Sequence, residues 1–224
     1  MDKLSFDISD VKSLKITVNN KFNIWAMDIE TITNAGGGLE PIAIVVKSKD
    51  EIYKFFGINC VDNFTNWLTS YKTDLPTKVY VHNGSNFDFI FLLKNILDKK
   101  EYCKVTNLRG KIITLKIGSK DFTFCDSYRL FNASLANTCK SWGIELSKDI
   151  PFHHKFQKQI NLYNYAGVNF DNNTQNEMVE YCTSDTIALY ELMIKFQADL
   201  RSKGLSLLFN SNILIETILC YVQS

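Results

Sequence analysis

Three stretches of this chain carry acids where a folding sequence would normally place apolar side chains. In Ile24-Trp25-Ala26-Met27-Asp28-Ile29-Glu30 the strand period of two puts Asp28 and Glu30 on one face, beside Ala26. Both follow an apolar run that reads as a central strand. Two neighbouring carboxylates there repel and lose hydration, which costs roughly several kcal/mol unless a cation neutralises them. The plain alternative is a strand end that reaches solvent. Asp185 falls inside the apolar helical stripe Met178, Tyr181, Cys182, Ala188, Leu189, Leu192, Met193 and Phe196. A lone Asp on a buried face is rare unless it is paired or binds metal, the alternative being a salt bridge to a nearby Lys. Asp88 ends Val79-Tyr80-Val81-His82-Asn83-Gly84-Ser85-Asn86-Phe87-Asp88, a strand running into a turn and then a helix. An acid in a first helical turn is ordinary dipole matching, but the carboxyl ends of strands in an α/β sheet are where ligands bind. Four carboxylates meeting at such an edge suit Mg²⁺ or Mn²⁺. Two such ions ~4 Å apart can clamp a phosphodiester.

The elements that must position these acids follow from periodicity. Leu14 to Val18, Phe22 to Glu30, Ile42 to Lys47, Glu51 to Phe56 and Val79 to His82 read as strands. Val105 to Asn107, Ile112 to Ile117 and Phe122 to Cys125 read as a meander or hairpin set. Helices are expected at Val61 to Tyr71, Phe87 to Leu97, Ser134 to Trp142 and Thr174 to Lys203, the longest. Gly143 can end the third, and Pro151 to Phe170 has no clean period. Strands first, then strand and helix alternating, then a long closing helix argue one α/β domain with a mixed sheet, partly antiparallel at its start. The triple glycine 36–38 reads as a hairpin loop, since no phosphate-loop pattern surrounds it.

Composition narrows the function classes. With 224 residues, 46% hydrophobic, the chain can bury a real core, which excludes a disordered tail or a disulfide miniprotein. The six cysteines have no CxxC spacing, so a structural zinc site is not expected and the thiols are expected to be reduced. No run of 18 apolar residues occurs, Leu205 to Val222 being broken by Asn210, Asn212 and Glu216, so no membrane partner is expected. Charge balances at +1 overall but is uneven: Lys94 to Lys120 holds eight basic residues and two acids. That positive segment suits a chain that grips phosphates, or is simply a solvated hairpin. Asn, Ile and Lys make up 65 residues against 3 Arg, a bias toward A/T-rich codons that suggests an organelle, plasmid or virus.

Asp28-Ile29-Glu30-Thr31, the N-x-x-x-F-D of Asn83 to Asp88, and the Y-x-x-x-D of Tyr181 to Asp185 resemble, in order and in separation, the three motifs of the 3′–5′ exonuclease domain of family B DNA polymerases. The tyrosine places the resemblance in the DEDDy class. Val79 to Leu93 and Lys111 to Trp142, with Cys125-Asp126-Ser127 and Ser134-Leu135, are most similar to the protein-primed polymerases of linear plasmids, organelles and viruses. The resemblance spans roughly residues 22 to 200. It implies a ribonuclease H-like α/β fold, with a mixed sheet flanked by helices. It also implies two Mg²⁺ ions (Mn²⁺ as a substitute) on Asp28, Glu30, Asp88 and Asp185. Tyr181 would orient the attacking water, and Lys155 would stand near the scissile phosphate, with Lys158 as its competitor. Thr31, Asn83 and Phe87 would hold a single-stranded DNA 3′ end, with His82 and Phe91 nearby and Ser134 and Leu135 as further ligands. Phe87 and Phe91, four apart, could equally be helix core, and His82 a satisfied strand-end histidine. Adjacent His153 and His154 are not expected to hold a metal.

Only 39 residues follow Asp185, and they contain no polymerase carboxylate motif. The expectation is therefore a domain over residues 1–203, followed by the start of a missing polymerase region over 204–224. No polymerisation is expected from this chain. A terminal protein primer and the missing region are candidate partners, and a mitochondrion or another compartment with an A/T-rich genome is the expected location, the cytoplasm being the alternative. The rival readings are a stand-alone DEDDy exonuclease on RNA and an idle DNA-binding remnant of a truncated gene.

Overall fold

A computed structural model describes residues 21–33, 36–118, 122–146 and 172–203. Seven strands form one mixed sheet: β1 (Asn23–Thr33), β2 (Leu39–Lys47), β3 (Ile52–Phe56), β4 (Thr77–Val81), β5 (Cys103–Leu108), β6 (Lys111–Ile117) and β7 (Phe122–Asp126), in the order β3-β2-β1-β4-β7-β6-β5. The chain lays down β1, β2 and β3 as an antiparallel meander. It then crosses to the other side of β1, where β4 and β7 run parallel to it. The hairpin β5–β6 continues the sheet antiparallel to β7. Among the described residues five helices cover the faces: α1 (Cys60–Ser70), α2 (Asp88–Asp98), the one-turn α3 (Tyr128–Phe131), α4 (Leu135–Ser141) and α5 (Asn172–Ser202). The sheet is mixed and begins antiparallel, as the sequence indicates. The strand expected at Leu14 to Val18, the stretch Pro151 to Phe170, where no period is read, and the segment 204–224 lie outside the described residues.

Strand alternation sorts β1 between two cores. Trp25, Met27 and Ile29 face α1 and α2, packing with Phe64, Leu68, Phe89, Leu92, Ile96, Val79, Val81 and Phe124. Ile24 and Ala26 face the other way, onto Ala188, Leu189, Leu192, Met193 and Phe196 of α5 and Cys139 of α4. Asp28 and Glu30 share that second face by parity, so α5 is the element that must meet them. Next to the acids the pairing slips: Glu30 pairs with Ala43 but Thr31 pairs with Pro41, a bulge on β2 at Ile42. A proline that cannot donate to the ladder is accommodated at such an irregularity. This lets β2 begin at Leu39 and β1 run on to Thr33, both further than the apolar alternation implies.

Candidate metal and nucleic-acid site

Parallel pairing fixes where the acids lie. Met27 pairs with Val81, the last residue of β4, and Val81 pairs with Asp126, the last of β7. Asp28 and Glu30 therefore stand on the part of β1 that outruns its parallel neighbours, at the carboxyl edge of the sheet. Beyond Val81 the chain turns through Asn83 to Phe87 and enters α2 at Asp88, at the same edge. Asn83 takes the left-handed conformation (φ 64°), one that Asn tolerates better than most residues. Gly84 is there for space: a Cβ would lie 2.9 Å from Phe89 Cε1 and 3.0 Å from Val81 Cβ. On the opposite side, Cys182 of α5 donates its thiol to the Asp28 carbonyl at 3.5 Å, seating the helix on β1. Asp185 lies one turn further along.

These side chains are near enough to shift one another's ionisation. Burial and the Asp185 charge push Asp28 up to about 7. Glu30, only 9% exposed, is raised by burial and then by Asp28, Asp185 and Asp88. Asp88 is raised well above the carboxylate range by burial and by Asp28, with Asp126 adding to the effect. Tyr181 is raised by burial and by Asp185, Glu30 and Asp28, and its hydroxyl donates to Asp185. Acids from a strand, a helix start and a long helix thus feel one another. The leading causes of their shifts are burial and like charge, with no cationic side chain of the described residues among them. Such a set is unfavourable by itself and fits divalent cations. Asp28, Glu30 and Cys182 offer ligand atoms that all lie within 4.8 Å of one another. The carboxylates are the hard donors that Mg²⁺ takes, whereas burial holds Cys182 as a thiol, with its pKa well above the usual range.

The remaining residues singled out in the sequence divide into two groups. Phe87 is 48% exposed and sits at the mouth of α2 with Asn83, while Thr31 and Phe91 are half-buried. The helix core is made instead by Phe89, Leu92 and Ile96, so Phe87 is not a core residue. The second group lies toward β7. His82 donates from Nε2 to the Ala133 carbonyl (3.0 Å), and its Nδ1 faces the Ser127 hydroxyl at 3.0 Å. Burial lowers its pKa and favours the neutral ring. Both ring nitrogens of His82 are thus engaged within the protein. Ser134 caps α4, accepting the Asn137 N–H at 3.3 Å, and Leu135 packs into the α5-side core. Lys155, Lys158, His153 and His154 lie outside the described residues. Sequence reasoning gave no role to Cys182 or Asp126. The Cys125-Asp126-Ser127 run was visible, but nothing local reveals what Asp126 accepts.

Residues 68–216 match the model of the family described as DNA polymerase type B, organellar and viral. The chain belongs to this family. Among its curated relatives, the DNA-directed DNA polymerase of Enterobacteria phage PRD1 is 28% identical over 150 residues, covering 66% of this chain and 22% of that protein. A probable DNA polymerase of Ascobolus immersus is 27% identical over 221 residues, covering 80% of this chain and 18% of that one. This type B polymerase chain therefore spans about a fifth of the length of those relatives. Its fold is shared with Phi29 DNA polymerase. The structure solved with primer-template DNA and incoming nucleotide has a TM-score of 0.59 at 16% identity, over 80% of this chain and 31% of that one. The complex with single-stranded DNA gives 0.58 at 16% identity, over 80% and 32%. Within the family fold, the acidic cluster is the feature of this chain with the clearest chemical capacity.

Proposed function

We propose that the chain is the proofreading 3′–5′ exonuclease part of a protein-primed family B DNA polymerase, acting on single-stranded DNA 3′ ends. The observation that supports this reading is the mutual charge effect among Asp28, Glu30, Asp88, Asp185 and Tyr181 near the carboxyl edge of the sheet. Asp28, Glu30, Asp88 and Asp185 would hold two Mg²⁺ ions. When bound, these supply an activated water and charge to stabilise the leaving oxygen. Tyr181 gives its hydroxyl hydrogen to Asp185, so its oxygen is left to accept a hydrogen from the attacking water and orient it. Phe87 stacks on a terminal base, and Asn83 and Thr31 hold the strand end. Ser134 and Leu135 lie further along its path, and His82 acts by tying the Asn83 turn to the loop before Ser134. The lysine expected near the scissile phosphate is Lys155, on the resemblance of its sequence alone. The reaction cleaves the terminal phosphodiester, releasing a nucleoside 5′-monophosphate and leaving a shortened strand with a free 3′ hydroxyl. A polymerase region and a terminal protein are the partners, and a mitochondrion, plasmid or virus is the setting.

The test is hydrolysis of 5′-labelled single-stranded DNA with Mg²⁺, with a ribo-oligonucleotide of the same sequence as competitor. A ladder shortening from the 3′ end, with DNA preferred, is expected. Preference for the ribo-oligonucleotide would move the substrate to RNA, and no Mg²⁺-dependent cleavage would leave an idle DNA-binding remnant.

A further inference from the structure

Asp126 has no part in the reaction above, yet the turn that carries Asp88 is hung from it. It ends β7 and is buried. Its carboxylate accepts three backbone N–H groups: Oδ1 from Asn83 at 2.9 Å and from Tyr128 at 3.0 Å, and Oδ2 from Ser85 at 3.2 Å. Two of these donors belong to the β4–α2 turn and the third opens α3. The turn also holds itself, the Asn86 and Phe87 amides donating to the Asn83 and Gly84 carbonyls at 3.1 and 3.3 Å. Asn83 is in the left-handed region, and Phe87, which precedes α2, gives the helix no side-chain cap. The Ser85 hydroxyl adds one more tie, donating to the Ile112 carbonyl at 2.6 Å. A carboxylate accepting several amides in a buried place forms strong, directional bonds.

We propose that Asp126 is a positioning residue for the metal centre: by holding the Asn83 and Ser85 amides it sets the turn so that Asp88 stands beside Asp28 and Phe87 faces outward at the mouth of the site. This rests on the metal-dependent nuclease reading given above. Asp126 touches neither the ions nor the strand in that reading. Its effect is on where Asp88 stands, so its loss should weaken metal binding before it weakens the fold.

The test compares Asp126→Asn with Thr65→Val, each a near-isosteric change at a buried polar residue. Thr65 bonds to Asn95 and Lys99, away from the site. Mn²⁺ affinity is read by calorimetry, which needs no turnover, and half-saturating Mg²⁺ is read in the hydrolysis assay. Asp126→Asn is expected to weaken Mn²⁺ binding and raise half-saturating Mg²⁺ by about 10- to 100-fold. The rate should largely recover at saturating Mg²⁺. Thr65→Val should lose stability and leave both constants within about twofold. A folded Asp126→Asn protein with wild-type Mn²⁺ affinity would overturn the assignment. If Asp126→Asn does not fold, Asp126→Glu is read by the same criterion, and failure of both to fold would mean that Asp126 holds the fold and not the site. A wild-type protein that binds Mn²⁺ but cuts nothing would end the nuclease reading and leave the positioning result legible.

Discussion

The two ends of β1 are built to opposite purposes. At its amino-terminal end Trp25, 4% exposed, stacks on Trp67 at 6.1 Å and meets Tyr71 and Phe122 at 5.3 Å each. The polar atoms around it are paired: Asn23 donates to Thr73 at 3.1 Å, and the Tyr53 and Tyr71 hydroxyls lie 3.1 Å apart. Five residues beyond Trp25, the same strand carries Glu30, nearly as buried, among other carboxylates. Burial stabilises the first end and destabilises the second. A strand that is favourable along one half can hold unfavourable charge along the other, and the difference marks the end where a ligand belongs.

The largest contrast should come from Asp28→Ala. Losing one carboxylate from the cluster is expected to slow hydrolysis by about a thousandfold or more, while leaving the circular dichroism spectrum unchanged. The same variant without metal should melt no lower than wild type. A large fall in melting temperature would make the acidic end structural after all. Trp25→Ala should do the reverse. It is expected to cost ~3–5 kcal/mol in urea unfolding, through the cavity left among the rings. The folded fraction that remains at low temperature should keep near-normal activity. Equal loss of activity per folded molecule would blur the distinction between the two ends.

Tyr181→Phe should sit between these. Removing one hydroxyl from a water-holding position is worth about 10- to 100-fold in rate, with stability little changed. A variant as inactive as Asp28→Ala would give Tyr181 more than an orienting role. The smallest effect is the pH dependence of metal-free stability. Asp28 and Glu30 are raised above their unfolded values of about 4. The folded protein therefore retains protons that the unfolded chain releases, and stability falls as pH climbs from about 4 through the level of Asp28, about 7. Thermal melts between these limits should show a steady decline, flattened by Glu30→Gln and reversed by Mg²⁺. A melting temperature that rises over the same range would contradict the raised carboxyls.

Much of the contrast along β1 was legible in the sequence. Alternation alone separates Trp25, Met27 and Ile29 from Ala26, Asp28 and Glu30, and helical spacing puts Asp185 on the stripe that meets the second set. Both depend only on the period of the backbone. What needed the fold was contact between distant segments. The four residues of α3 are too few to show a period. The strand expected from Ile42 starts instead at Leu39, because the bulge at Ile42 makes room for Pro41. Phe87 and Phe91, four apart, look like one core stripe, but the turn at Gly84 leaves Phe87 outside and makes Phe89 the buried ring. Asp126 resembles any strand-end acid until the amides of Asn83, Ser85 and Tyr128 are seen to reach it.

Crystals soaked in Mn²⁺ and measured at the manganese absorption edge test the central claim most directly. Anomalous peaks bridging Asp28 to Glu30, Asp88 or Asp185 are the expected result. A well-ordered cluster that holds no manganese, or manganese bound only elsewhere on the surface, would contradict it.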